Sequence, residues 1–229
     1  MMRKNQHTVG LIRVITSSSQ DFINLHGAII EKHFPQLKVI SRCIPDQPTG
    51  IHDAATMAQA EPKILQVAQE MADDGVEAVI ISCMADPGVE LCRRYLHLPI
   101  IGAGSAASAL CLALGRKIGA LGITPQVLEP VERCLGANLI GYLQPVGVHN
   151  SLDLLTPIGL AATLQAAWEL KDQGVEVILL SCTGMASAGL AAEIRRTVNL
   201  PVVDPVVASG LMAYFTLINC NVEGAEIGV

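Results

Sequence analysis

Short apolar runs alternate with amphipathic stretches along the chain, and this alternation predicts strands that are joined by helices. The apolar runs of the first half span residues 9–15, 37–44, 76–82 and 98–101, with helical patterns near 21–34 and 61–74. Those of the second half span residues 118–123, 139–143, 175–180 and 201–203, with helical patterns near 126–135 and 159–172. We therefore predict an α/β fold with doubly wound parallel sheets, whose strands are buried on both faces.

The second half of the chain repeats the first at an offset of about 100 residues. The segment 75–83 (GVEAVIISC) resembles 174–182 (GVEVILLSC), and two further pairs match in the same way: 10–16 with 119–124, and 98–101 with 200–203. Buried strands of any protein share Val, Ile and Leu, but they do not readily share Gly-Val-Glu before the strand and Ser-Cys after it. The repeat predicts two α/β halves related by a pseudo-twofold axis, with the active site in the cleft between them.

The repeat also sets the expected boundaries. We place the first half at residues 1–104 and 206–229, and the second half at residues 105–205. Gly75 and Gly174 follow helical patterns at equivalent positions, where glycine can take the left-handed conformation that ends a helix. Each half alone would leave exposed to solvent a surface that the other half is expected to cover.

Composition narrows the possible partners. Of 229 residues, 51% are hydrophobic and 16% charged, and the formal net charge is -6. An acidic chain with only 3% aromatic residues lacks the positive field and the stacking surface that nucleic acids require. Residues 95–115 are uncharged, but Pro99, Gly102 and Gly104 divide them into strand, turn and helix, which argues against a membrane span. The N-terminus lacks the apolar region of a signal peptide, so we expect a cytoplasmic protein.

Two of the seven cysteines, Cys83 and Cys182, occupy equivalent positions, each after an apolar strand and before a predicted helix. Open parallel sheets gather their ligand sites at this edge, and a pseudo-twofold axis would bring the two thiols face to face. Inverting a carbon next to a carbonyl requires a base on one side and an acid on the other. A pair of thiols that flanks a planar intermediate satisfies this requirement.

A thiol can act as a base only as thiolate, so its pKa must fall from the ordinary value of roughly 8.5, as it does at a helix N-terminus. After Cys83, Asp86 is suited to cap the next helix and Pro87 to its first turn. After Cys182, we expect Thr183 and the Gly184 amide to hold an anionic oxygen of the substrate. The alternative is that both cysteines are ordinary buried thiols.

The other cysteines are predicted to be reduced core thiols: Cys43, Cys92, Cys111, Cys134 and Cys220. None of the seven forms a Cys-x-x-Cys pair or a Cys/His pair at zinc spacing, so we predict no metal site. Residues 102–105 (GAGS) lack the complete glycine pattern of a dinucleotide loop, and we predict no cofactor.

Two motifs carry a resemblance to a known family. Residues 82–88 (SCMADPG) are similar to the Cys-x-x-Asp-Pro-Gly of hydantoin racemases, and residues 181–185 (SCTGM) are similar to their Cys-x-Gly-Met. Over essentially its whole length the chain resembles the aspartate/glutamate/hydantoin racemase superfamily. The resemblance implies a cofactor-independent racemase or epimerase in which Cys83 and Cys182 alternate as base and acid. It also implies a homodimer or a higher homo-oligomer.

The departures from that family concern the substrate. Amino-acid racemases carry Cys-Asn-Thr at the first cysteine, where this chain has Cys83-Met-Ala, and hydantoin racemases carry Asn-Pro-Asn after the first strand, where this chain has residues 13–19 (RVITSSS). A hydantoin-like or amino-acid-derived substrate is expected. Cis-trans isomerisation of a maleate-type substrate and decarboxylation of a malonate derivative remain alternatives from the same superfamily. A noncatalytic protein that binds a small carboxylate is the alternative from another class.

Candidate substrate-binding residues cluster near the predicted strand ends. Ser17 and Ser18 lie between the first strand and its helix, where hydroxyls and amides can bind an oxyanion or simply cap the helix. Arg13 and Arg42 lie in apolar strands, so each must reach an edge or meet an anion. If both enter the cleft, a substrate with a carboxylate is favoured over a neutral hydantoin ring. Met84, beside Cys83, completes the predicted set with Thr183 and Gly184.

Overall fold

The computed structural model describes residues 6–220, which divide into two compact units. Among the described residues, unit 1 comprises residues 6–81, Pro87–Ile101 and residues 209–220, whereas unit 2 comprises Ser82–Asp86 and Gly102–Ala208. Residues 82–86 were assigned to the first half from the sequence, but they group with unit 2. Residues 1–5 and 221–229 of the predicted first half lie outside the described residues.

The first sheet has four parallel strands in the order β2-β1-β3-β4. The elements in chain order are β1 (His7–Arg13), α1 (Gln20–His33), β2 (Leu37–Cys43), α2 (Ala54–Asp73), β3 (Ala78–Ile81), α3 (Val89–Tyr95) and β4 (Ile100–Gly102). Strand β1 lies between β2 and β3, with Arg13 paired to Cys43 and Val9 paired to Ala78. The inner face of α2 packs on the sheet through Ile64, Ala68 and Met71.

The second sheet repeats this order as β6-β5-β7-β8. The elements in chain order are α4 (Ala103–Leu114), β5 (Ile118–Leu121), α5 (Glu129–Leu135), β6 (Leu139–Leu143), α6 (Pro157–Asp172), β7 (Val177–Leu180), α7 (Thr183–Ser187), α8 (Leu190–Val198), β8 (Val202–Val203) and α9 (Pro205–Cys220). Short 3-10 turns at Gly136–Asn138 and Asp153–Leu155 precede β6 and α6 respectively. The predicted fold class, α/β with two parallel sheets, is confirmed.

Strands β3 and β7 are interior strands of their sheets. Every residue of both strands is buried, and each strand has a neighbouring strand on both sides. This burial explains why their sequences are continuous apolar runs rather than alternating ones. The polar chain that follows each strand therefore emerges at the carboxyl edge of its sheet.

The helices before β3 and β7 end in the same way. Gly75 and Gly174 have φ of 85° and 83°, the left-handed conformation predicted for them. In both places the glycine N–H and the next N–H bond back to carbonyls of the last helical turn, which is the Schellman arrangement. The repeat thus extends to backbone geometry.

The start of α2 was predicted too late. The helix begins at Ala54 rather than near residue 61, because the Asp53 side chain and Thr56 form a reciprocal capping box. Pro62 lies inside this helix. A proline is most easily accommodated in a first helical turn, so its presence in the third turn of α2 is a departure from the usual pattern.

The uncharged segment 95–115 is divided as predicted. It contains the end of α3, the strand β4 and the helix α4. Within residues 6–220, none of the helices combines the length and the apolar character needed to cross a bilayer.

Replacing Gly75 or Gly174 with alanine should lower the free energy of unfolding by about 1 kcal/mol in each case, because an L side chain is strained at this φ. A Cβ at either position would meet no atom within 4 Å, so strain is the only cost. Urea unfolding followed by circular dichroism measures both. The exposed neighbour Gln173, whose φ is -73°, serves as the control as Gln173→Ala. If both glycine variants were as stable as the wild-type protein, the left-handed conformation of Gly75 and Gly174 would be contradicted.

Candidate active site

Cys83 and Cys182 occupy matching positions, two residues beyond the ends of β3 and β7. Both thiols are free, partly exposed and members of unit 2. They are close enough that the charge of Cys182 opposes the ionisation of Cys83. The structure therefore brings together the two cysteines that the repeat singled out.

The two thiols have different electrostatic surroundings. Burial raises the pKa of Cys83 to about 12, while the Ala85 N–H opposes the rise and the Asp86 charge adds to it. Burial also raises the pKa of Cys182, and the N–H groups of Gly184 and Met185 oppose that rise. Cys182 thus has two amide donors for its thiolate, whereas Cys83 has one donor and a nearby carboxylate.

Asp86 does not cap the helix that follows it, as the sequence had suggested. Helix α3 starts at Val89 with Gly88 as its N-cap, because the chain turns through left-handed conformations at Asp86 (φ 47°) and Gly88 (φ 68°). The Asp86 carboxylate instead accepts hydrogen bonds from Gly104 N (2.7 Å) and Ser105 N (2.8 Å) at the start of α4. The Cys83 loop is thereby attached to α4 through Gly104, which lies eighteen residues after Asp86 in the chain.

This attachment depends on glycine. A Cβ on Gly102 would lie 2.4 Å from the Asp86 carboxyl carbon, and a Cβ on Gly104 would lie 2.2 Å from the Met84 carbonyl oxygen. Met84 itself is 2% exposed and packs in the apolar core of unit 2 with residues such as Ala107 and Cys111. Its side chain therefore anchors the loop, and only its backbone is left to face a substrate.

The Cys182 loop has a simpler structure. Cys182 is the N-cap of α7, so the helix amides point toward it. We expected the Gly184 N–H to hold an oxygen of the substrate, but it faces the Cys182 sulfur. A Cβ on Gly184 would lie 3.3 Å from that sulfur and 2.7 Å from Cβ of Ser151. Thr183 is half-buried in the first turn of the helix.

The sequence interpretation missed Tyr142 and its partner. The Tyr142 hydroxyl donates to the Thr124 carbonyl oxygen (2.8 Å) and lies 3.0 Å from Thr124 Oγ1. Burial raises the pKa of Tyr142, and the charge of Cys182 adds to this effect, so the phenol lies near that thiol. Thr124 could have been found from the sequence, because the matching segments 10–16 and 119–124 both end in threonine. Tyr142 could not have been found in this way, because it has no aromatic counterpart in the first half.

In unit 1, Arg13 is a buried cation. It is 6% exposed, its guanidinium stacks over the Phe22 ring at 4.2 Å, and Nη1 donates to the Phe22 carbonyl oxygen (2.7 Å). Burial lowers the pKa of Arg13 to about 10, and the neighbouring Cys43 opposes this. The aromatic face and the carbonyl supply the partners that a buried arginine requires.

Arg42 and Ser17 line a cavity of about 440 Å³ at the edge strand β2, whereas Ser18 does not. Arg42 pairs with Asp74 (2.5 Å) and Glu70 (4.0 Å) at the end of α2, so its charge is met by carboxylates of its own chain. Ser17 lines the cavity, and its Oγ accepts from Ser19 N, while Ser18 is exposed. Ser19 is the actual N-cap of α1.

The described part of the chain contains no group of three His, Cys, Asp or Glu side chains that could hold a metal ion. The titratable groups near the carboxyl edge of unit 2 include the two thiols, Tyr142 and Asp86, and the Asp86 charge also acts on Cys134.

A profile of the family described as Asp/Glu/Hydantoin racemase matches residues 11–212. The chain belongs to this family. Among its relatives, the hydantoin racemase of Rhizobium meliloti is 26% identical over 214 residues, which cover 90% of this chain and 86% of the relative. The protein is accordingly an isomerase of the racemase type.

Solved structures with the same fold include two allantoin racemases. The one from Klebsiella pneumoniae has a TM-score of 0.82 at 21% identity and covers 94% of this chain and 89% of its own. The one from Pseudomonas fluorescens has a TM-score of 0.77 at 21% identity, with coverage of 93% and 91%. The two-sheet fold of this racemase is therefore shared with them.

A methyl group at Gly104 should displace the Cys83 loop, because it cannot fit beside the Met84 carbonyl. We expect Gly104→Ala to lower the free energy of unfolding by about 1–3 kcal/mol, the usual cost of overpacking. Urea unfolding measures it. Leu114→Ala on the same helix is the control, since Leu114 is half exposed and should cost less than about 0.5 kcal/mol. Equal stability of the two variants would show that the loop tolerates the side chain.

Proposed function

We propose that this racemase inverts the carbon next to the carbonyl of a hydantoin-like ring without a cofactor, with Cys83 and Cys182 as the acid/base pair. The observation that carries the proposal is the proximity of two partly exposed thiols of unit 2, each of which follows the equivalent strand of its sheet. Two-sided proton transfer needs such a pair, and each thiol faces at least one backbone N–H that stabilises its anion.

The chemistry follows from the ionisation of one thiol of the pair. A thiolate removes the proton from the substrate carbon, and the electron pair is delocalised into the adjacent carbonyl as an enolate. The opposite thiol then gives its proton to the other face of the planar carbon. The product leaves with inverted configuration and the two sulfurs have exchanged protonation states, so the reverse reaction uses the same groups in opposite roles.

The amide donors favour Cys182 as the thiolate when the site is empty. Its sulfur faces two N–H groups at the start of α7, whereas Cys83 faces one N–H and lies near the Asp86 charge. A second negative charge in the site opposes ionisation of the second thiol. This arrangement yields one base and one acid rather than two bases.

A hydantoin-type substrate is favoured over an amino dicarboxylate. The Rhizobium meliloti relative is named a hydantoin racemase, and the two structural neighbours are named for allantoin, which is itself a substituted hydantoin. The two cations that the sequence suggested for binding a carboxylate have other partners, because Arg42 pairs with Asp74 and Arg13 stacks on Phe22. A neutral ring needs only hydrogen-bonding groups, which Thr183 and the Met84 backbone of unit 2 can supply.

Removing either thiol should abolish inversion. We expect Cys83→Ser and Cys182→Ser to lower the rate of racemisation by about 10²–10⁴-fold, the usual contribution of a positioned acid or base. Polarimetry with 5-substituted hydantoins and allantoin measures the rate, and solvent deuterium exchange followed by NMR reports each half of the reaction. A single variant retains exchange only for the enantiomer whose proton faces the remaining thiol.

Cys92→Ala is the matched control, since Cys92 is a buried thiol in the core of unit 1 and should leave exchange intact. Full racemisation by either serine variant would refute the two-thiol mechanism. Release of carbon dioxide from an arylmalonate, or isomerisation of maleate, without inversion of any hydantoin would instead assign the site to those reactions.

The rate of racemisation should rise with pH through the neutral range. Burial raises the pKa of both thiols, so the thiolate base is scarce below its pKa and becomes more abundant as the pH rises toward it. Profiles of kcat/KM against pH measure this, with the melting temperature recorded at each pH as a control for stability. A rate that falls steadily between pH values of about 6 and 8 would contradict a thiolate base.

A further inference from the structure

The repeat is broken at the loops that carry the two thiols. After Cys83 the loop contains Asp86, whose carboxylate accepts the first amides of α4 at 2.7 and 2.8 Å. After Cys182 the chain enters α7 directly. The helix that follows β8 is capped by Asp204, whose Oδ1 accepts from Val206 N (2.8 Å) and Val207 N (3.2 Å) just downstream. The helices after β4 and β8 thus both have an aspartate cap, but only the cap after β4 comes from a cysteine loop.

The backbone conformation and the packing of Asp86 place unusual demands on the chain. Its φ of 47° is uncommon outside glycine, and two glycines, Gly102 and Gly104, leave room for the carboxylate and for the adjacent Met84 carbonyl. A simpler cap was available, because a residue directly before α4 could have done what Asp204 does for α9. The structure instead retains a negative charge three residues from Cys83.

We propose that Asp86 is a positioning residue that makes the thiol pair unequal, because its carboxylate fixes the Cys83 loop to α4 and its charge keeps Cys83 as the proton donor of the resting site. This inference rests on the proposed function for its catalytic meaning. It adds a role for a carboxylate that does not touch the reacting carbon. Cys182, beside two amides, is left as the base.

The ionisation of Cys83 depends on the charged and titratable groups that surround it. Cys83 faces Asp86 and Cys182, and the carboxylate also acts on Cys134 of α5, next to Arg133. Tyr142 faces Cys182. The backbone amides of Gly104 and Ser105 on α4 donate to Asp86, and these groups do not titrate. A change at Asp86 should therefore move Cys83 and Cys134 together.

The test is the pH dependence of thiol alkylation in Asp86→Asn. Asparagine tolerates the left-handed conformation and its oxygen can still accept one amide hydrogen bond, while the charge is lost. Alkylation of each cysteine by iodoacetamide is followed by peptide mass spectrometry across pH. We expect the midpoint for Cys83 to fall by about 0.5–1 pH unit, which is a rate increase of about 3- to 10-fold at a fixed pH below it. The midpoint for Cys134 should fall in the same direction.

Glu176→Gln is the matched control. Glu176 also accepts two backbone amides, from Arg116 (2.8 Å) and Lys117 (3.2 Å), but it precedes β7, at the edge of the sheet opposite Cys182. Its neutralisation should leave the Cys83 midpoint unchanged, and Cys43 in unit 1 serves as the internal reference. Asp86→Ser provides a second neutral variant if the asparagine protein does not fold.

The catalytic readout is the alkaline limb of the kcat/KM profile, which reports loss of the acid. It should move to lower pH in Asp86→Asn by the same amount as the Cys83 midpoint, since removing a negative charge favours the thiolate. An unchanged midpoint, or an equal shift in Glu176→Gln, would overturn the role of Asp86. If the wild-type protein racemises nothing in the panel, the proposed function fails, while alkylation still decides whether Asp86 controls Cys83.

Discussion

A strand that is buried on both faces can meet solvent only where it leaves its sheet, and β3 and β7 are strands of this kind. Their polar continuation, Ser-Cys, therefore lies at the carboxyl edge in both sheets. The serine of each pair is buried, and the cysteine is the first residue to be partly exposed. The location of both thiols is thus a consequence of hydrophobic burial along the preceding four residues.

Much of the fold could be predicted because its signals are local. The strand Leu139–Leu143 was predicted with its exact bounds, and the left-handed glycines Gly75 and Gly174 were recognised from their positions after helical patterns. The start of α2 was mispredicted although Asp53 and Thr56 carried a local signal, and the helix includes Pro62. A long helix can include a proline when packing of its apolar face outweighs one lost hydrogen bond.

The candidate site was less accessible to sequence reasoning. The cysteines were found because they recur in a repeat, but the partners of Asp86, Tyr142 and Arg42 are distant in the chain and left no periodic pattern. Asp86 looked like a cap for the helix beside it, since Asp-Pro-Gly is typical of helix starts. The amides that it binds belong to α4, and only the three-dimensional packing of Gly104 against the Met84 carbonyl selects them. Likewise, the Arg42 charge was identified correctly, whereas its carboxylate partners on α2 were not.

The grouping of residues 82–86 with unit 2 bears on how such a duplicated protein can diversify. The sequence repeat divides the chain into two equivalent halves, each with its own strand and cysteine. The packing divides it differently, because Met84 fills the core of unit 2 and Asp86 binds α4. A chimera that takes its first half from another family member would bring a foreign Cys83 loop into a core selected for this one. Recombination between homologues is therefore constrained at this loop, and the two thiols are expected to evolve as one module.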